Sequence, residues 1–188
     1  MKMKNILTLL ALLGQINLNA QNDSQGECLY KDGLGYLHGI TKFYNPILAK
    51  SLLHRASDLG YAPAMNELGK IHSNGGSFRR NLDSAIFWYK KAIEAGDGEA
   101  CFNLGKIYQA GSVLSQNFKE AFKYYSKGLE MNNAECKKAA AYMYYKGLGT
   151  VQNYSKAFTL FRETAEAGNK TSMYFLGLCY RNGYGTSV

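Results

Sequence analysis

Apolar residues in this chain keep helical spacing in short blocks, and the blocks recur every 36 residues. Leu68, Ile71 and His72 occupy slots that Leu104, Ile107 and Tyr108 fill one period later. A second kind of block carries paired large side chains: Leu52-Leu53, Trp88-Tyr89, Tyr124-Tyr125 and Leu160-Phe161. Neither block can cover its own apolar stripe, so each needs a neighbour. The pattern predicts an all-α fold, an α/α superhelical solenoid of 36-residue helix–turn–helix repeats.

The polar punctuation keeps the same period. Registers 28–63, 64–99, 100–135, 136–171 and a partial 172–188 align without a gap. The twelfth position is Gly39, Gly75, Gly111, Gly147 and Gly183. Glycine there ends the first helix in a left-handed conformation at no steric cost. The eighteenth is Asn45, Asn81, Asn117 and Asn153, each placed to cap the second helix. Pro46 after Asn45 suits a first helical position. The twenty-second is Ala49, Ala85, Ala121 and Ala157, small enough for close helix approach. Gly69, Gly105 and Gly177 fall inside first helices, with Ala141 in the same slot. Glycine costs roughly 1 kcal/mol there against alanine, which argues for tight packing.

Residues 1–20 depart from the repeat. Lys2 and Lys4 precede an apolar run from Ile6 to Leu13, and Ala20 offers a small residue before Gln21. That is the layout of a cleaved signal peptide, and the run is too short to span a bilayer. Export to the periplasm or outside the cell is the expectation, with no transmembrane span after cleavage. A short segment, 21–27, leads into the array at 28–188. Cleavage lowers the net charge from +8 to +6 by removing two lysines and no acid. The basic residues are spread along the chain, so nucleic acid is not an expected partner.

Three segments resemble a known family: LGKIHSNGG…NLDSAIFWYKKAIEAG (68–96), LGKIYQAG…NFKEAFKYYSKG (104–128) and YYKGLGTVQNYSKAFTLFRETAEAG (144–168). They are similar to the Sel-one-like repeat, a relative of the tetratricopeptide repeat. ACFNLGKIYQAG (100–111) further resembles the Helicobacter cysteine-rich branch of that family. The resemblance implies an adaptor that binds a protein or peptide on a concave face lined by first helices. The branch also carries an alternative, a penicillin-binding or β-lactam-hydrolysing protein. It places two cysteines in each repeat, whereas this chain has only Cys28, Cys101, Cys136 and Cys179. Small core thiols are the expectation for most of these, beside the alternative of native bridges in an oxidising compartment.

The chemistry an enzyme would need is missing from the sequence. No serine is followed three residues later by lysine, and no Lys-Thr-Gly occurs, so a serine β-lactamase site has no footing. His38, His54 and His72 form no metal-ligand spacing. No catalytic residue, metal or cofactor is assigned. The first-helix positions left outside the core are the third, seventh and tenth of each register. They hold Asn66, Lys70 and Ser73; Phe102, Lys106 and Gln109; Lys138, Tyr142 and Tyr145; Tyr174, Leu178 and Arg181. Lysine, amide and tyrosine on one stripe suit a protein or peptide partner, because tyrosine and arginine offer apolar area with a polar tip. The second-helix aromatics Trp88, Tyr89, Tyr124, Tyr125 and Phe161 keep strict register and are expected in the core.

Overall fold

The computed structural model describes the backbone of residues 2–39, 43–111 and 115–185, with side chains at 15 and from 18 onward within those ranges. Among the described residues there are helices and no strand: α1 (Lys2–His38), α2 (Pro46–Asp58), α3 (Ala62–Asn74), α4 (Leu82–Glu94), α5 (Gly98–Ala110), α6 (Phe118–Glu130), α7 (Ala134–Lys146), α8 (Tyr154–Glu166) and α9 (Lys170–Asn182). The fold class is the α/α repeat solenoid that the period requires.

The periodic asparagines make the hairpins. Each caps a second helix through its side chain: Asn45 Oδ1 accepts from the Leu48 N–H at 3.0 Å and Asn81 Oδ1 from Ser84 at 2.9 Å. Asn117 and Asn153 do the same for Glu120 and Lys156. The asparagine backbone N–H then donates across the turn to the preceding helix. Its acceptors are the carbonyls of Tyr36, His72, Tyr108 and Tyr144, at 2.9–3.0 Å. One residue thus closes the turn and starts the next helix, so its recurrence alone sets the hairpin length.

Two compact units divide the chain, residues 1–95 and 96–188. In the first, α1 pairs with α2 and α3 with α4 around Leu53, Ala56, Ala64, Leu68 and Ile71. In the second, α5–α9 stack in order, and Ala141, Ala157, Phe161 and Cys179 form a buried cluster. Tyr89, Tyr125 and Phe161 are buried as the register predicts, while their partners Trp88 and Tyr124 are only half-buried. Tyr124 instead stacks flat on Tyr108, with ring centroids 5.6 Å apart.

Helix α1 continues without a break through residues 2–20. The side chains described between 15 and 25 are exposed or half-exposed, and the first buried position is Gly26, set against Tyr61. A cut after Ala20 therefore falls at an exposed position, and the described side chains before it (15 and 18–20) are exposed. No described helix is long and apolar enough to cross a membrane.

Candidate partner-binding face

In the second unit the seventh and tenth positions of α5 and the seventh of α7 come together, while the third positions, Phe102 and Lys138, lie outside their hollow. Lys106 and Gln109 from α5 and Tyr142 from α7 line one hollow of about 490 Å³. Ala110, Gln116, Phe118 and Leu148 complete its walls. The two amides have distinct tasks. Gln109 Oε1 accepts from the Tyr125 hydroxyl at 2.7 Å, which ties the groove wall to the core. Gln116 Nε2 donates to the Gln109 carbonyl at 2.9 Å, and Gln152 repeats this bond to the Tyr145 carbonyl. The hollow is thus rimmed by satisfied amides around one cation, with apolar surface from Phe118, Tyr142 and Leu148.

Its electrostatics are positive. Lys106 is exposed, and its Nζ lies 5.4 Å from the Phe102 ring centroid. Phe102 is half-buried, 6.0 Å from the Tyr125 ring. Lys138 is paired with Glu135 on its own helix. Tyr145 is less a contact residue than a hub, since its ring meets those of Tyr154, Phe161, Phe175 and Tyr184. Tyr142 packs edge-on against Phe175 at 5.5 Å while keeping its place in the hollow. Tyr174 and Arg181 are exposed on α9, and Leu178 is half-buried.

In the first unit the same stripe is less open. Asn66 is only 3% exposed, and Ser73 is half-buried. Lys70 pairs with Glu67 at 3.2 Å, and both line a hollow of about 250 Å³ with Leu37, Tyr44 and Phe78. The structure therefore joins Lys106, Gln109 and Tyr142 in one place and keeps the first-unit residues in another. The wall residues Gln116, Phe118 and Leu148 escaped the sequence reading because they belong to turns and helix starts. The paired Gln116-Asn117 and Gln152-Asn153, one period apart, were the available signal.

The titratable groups are arranged for packing. Burial pushes the thiol of Cys101 up to about 11 and that of Cys136 up to about 12, so both stay protonated at neutral pH. Cys179 is also buried, Cys28 is exposed, and all four are free thiols. Among the described residues no three His, Cys, Asp or Glu side chains converge as a metal site.

His72 takes the slot of Tyr108 and Tyr144, and its Nδ1 is buried without a hydrogen-bond partner. Burial, with Lys50 and His54 nearby, lowers its pKa; burial and Lys50 lower that of His54. A lowered histidine pKa means that the unfolded chain binds more protons near its ordinary value of 6.5. The contribution of both rings is complete above that value and is lost as pH falls from it through the lower folded value. Thermal unfolding followed by circular dichroism is expected to give a lower midpoint at pH 5.5 than at pH 7.5. His72→Tyr should narrow that gap, and an unchanged gap in the variant would clear His72 of the effect.

The repeat description that matches the chain is Sel1, and it covers residues 26–61, 62–97, 98–133, 135–169 and 171–188. The chain belongs to the Sel1 repeat family. Repeats of this family generally mediate protein–protein interaction. Among solved structures, the chain is similar to a protective antigen of uropathogenic Escherichia coli strains displaying an SLR fold. The TM-score is 0.80 at 27% identity over 90% of this chain, which spans only 37% of that protein. A Sel1 repeat protein from Oxalobacter formigenes aligns at a TM-score of 0.78 and 24% identity, over 88% of this chain and 68% of its own. Helicobacter pylori cysteine-rich protein B aligns at 0.51 and 25% identity, over 68% of this chain and 96% of its own. A search of the curated proteins finds no match.

Proposed function

We propose that this Sel1 repeat protein is an exported scaffold that holds a peptide or protein partner on its first-helix face. The observation that carries the reading is the 490 Å³ hollow in which Lys106, Gln109 and Tyr142 meet from successive repeats. A lysine with an apolar floor suits a partner segment that presents a carboxylate beside an apolar side chain. Phe102, Lys138, Tyr174 and Arg181 serve as secondary contacts in the second unit, and Lys70 serves the first unit from its own hollow. Tyr145 supports the second unit's face through its ring contacts, while Asn66 and Ser73 belong to the first unit.

Export rests on the leader-like residues 1–20 and on the exposed junction that follows them. The proposed compartment is the periplasm or the extracellular space, reached without a retained membrane span.

The test is capture of a partner from envelope and culture extracts by residues 21–188. A double variant, Lys106→Glu with Tyr142→Ser, runs beside it with its helical content checked. About a tenfold loss of the captured protein is expected, the size of one good contact residue. Equal capture by both proteins would move the site off this hollow.

A further inference from the structure

Three sulfur atoms gather at one junction between repeats in the second unit. The Cys101 thiol of α5 points at Sδ of Met131, the residue that ends α6, 3.9 Å away. Cys136 enters from the first turn of α7, with its thiol 3.8 Å from the Gly98 carbonyl. Gly128 shows how near the two cysteines come. A Cβ added there would lie 2.2 Å from the Cys136 sulfur and 3.0 Å from the Cys101 Cβ. The Cys136 sulfur thus occupies the space that a Gly128 methyl would need, directly beside Cys101. Both cysteines are buried and Met131 is half-buried, so the methionine is the member nearest solvent.

The register isolates this cluster. One period earlier the three positions hold Met65, Ala95 and Ala100, and one period later Lys137, Ala167 and Ser172. Gly128 is likewise the exception, since Ala56, Ala92 and Thr164 fill its slot elsewhere. Packing a junction does not call for sulfur. The following one closes on a hydrogen bond of 2.7 Å between Thr164 and Ser172.

We propose that Cys101, Met131 and Cys136 together bind one copper(I) ion, a role separate from partner binding. Thiolate and thioether are soft donors, and a small set of them in a buried place selects copper(I). Zinc takes four ligands from Cys, His, Asp or Glu, and among the described residues no three of these converge. Metal–sulfur bonds of about 2.3 Å put two sulfurs of a trigonal centre about 4 Å apart. The separation of Cys101 and Met131 already has that length.

Burial keeps both thiols protonated at neutral pH, so binding is a proton exchange. Copper(I) and two thiols give a bis-thiolate centre of charge −1 and two released protons, with no change of oxidation state. Of the charged groups felt by the pair, Lys127 favours the thiolates, and Asp97, Glu130 and Glu135 oppose them. The ligands come from α5, the end of α6 and α7, so the ion ties successive repeats together. None of the three lines the Lys106 hollow, which leaves that hollow open to a partner.

The test titrates copper(I) into the reduced full chain without oxygen, in competition with bicinchoninate, a chromophoric copper(I) chelator. One ion per chain should be withheld from the chelator, and native mass spectrometry should show it bound with two protons lost. Losing an outer-shell partner costs a metal site about 10–100-fold in affinity, and losing a ligand costs more. Cys136→Ala is therefore expected to weaken binding by at least about a hundredfold, and Met131→Leu, which removes the weaker thioether, by about tenfold. Both variants keep the fold, because Ala100 and Leu59 hold the same register positions. Cys28→Ser, at the exposed thiol, should leave the affinity unchanged. Binding that ignores Cys136→Ala, or that is lost with Cys28→Ser, would overturn the proposal, as would no retained copper(I) at all. So would a Cys101–Cys136 disulfide in the chain isolated without reductant, since that bond would consume both thiol ligands.

Discussion

Gly105→Ala is expected to destabilise the protein by about 2 kcal/mol, while Gly177→Ala stabilises it by about 1 kcal/mol. The residue, the substitution and the register position are the same. Both changes gain the helix propensity of alanine, roughly 1 kcal/mol. At Gly177 nothing opposes that gain, because the space is open. At Gly105 the new methyl would lie 2.4 Å from Tyr125 Cε1 and 2.7 Å from Cδ1. That ring cannot step aside cheaply. It is 1% exposed, and its hydroxyl is held by Gln109. Overpacking a rigid core of this kind costs roughly 1–3 kcal/mol beyond any propensity gain. Urea unfolding followed at 222 nm, with the two variants side by side, gives the sign directly. Two variants of equal stability would mean that the Tyr125 ring yields where its packing says it should not.

Gly149→Ala is expected to be costlier still, about 3–4 kcal/mol, and Gly147→Ala to cost only about 1 kcal/mol. Both glycines have positive φ, +71° at Gly147 and +67° at Gly149, so both variants carry the left-handed penalty of an L side chain. Their surroundings differ. A Cβ at Gly147 would lie 3.2 Å from the nearest atom, Gln152 Cβ, which can give way. At Gly149 it would lie 2.1 Å from the Phe118 carbonyl oxygen and 2.4 Å from its carbon. Those atoms open α6, whose first turn Asn117 holds through Glu120. Relief would require moving a capped helix end. Gly185 meets the Tyr154 carbonyl in the same way one period later, so the turn of one repeat seats on the second helix of the previous one. Urea midpoints that coincide for the two variants would show that φ strain alone sets the cost.

The hairpins were readable from residues because each is closed by groups close in sequence. Asn81 caps α4 three residues ahead and bonds the His72 carbonyl nine residues behind. No distant contact enters that geometry, so a recurring Asn announces it. The binding face was readable only in part. The register placed Lys106, Gln109 and Tyr142 on one stripe, but the stripe treated Asn66 and Tyr145 as their equals. Asn66 is buried, and Tyr145 is surrounded by other rings. Which member of a periodic stripe reaches solvent depends on the helices packed beside it, and those lie a full repeat away.

The amino-acid sequence therefore determined the period, the helix boundaries and the Sel1 repeat class, because capping and helical spacing act over a few residues. Tertiary structure decided which side chains are available to a partner. Met65 and Met173 share a residue type and a register position, yet one is buried and the other half-exposed. The difference is the second helix that covers α3 and is absent from α9 among the described residues. Burial belongs to the neighbour and not to the residue, and no local pattern records it.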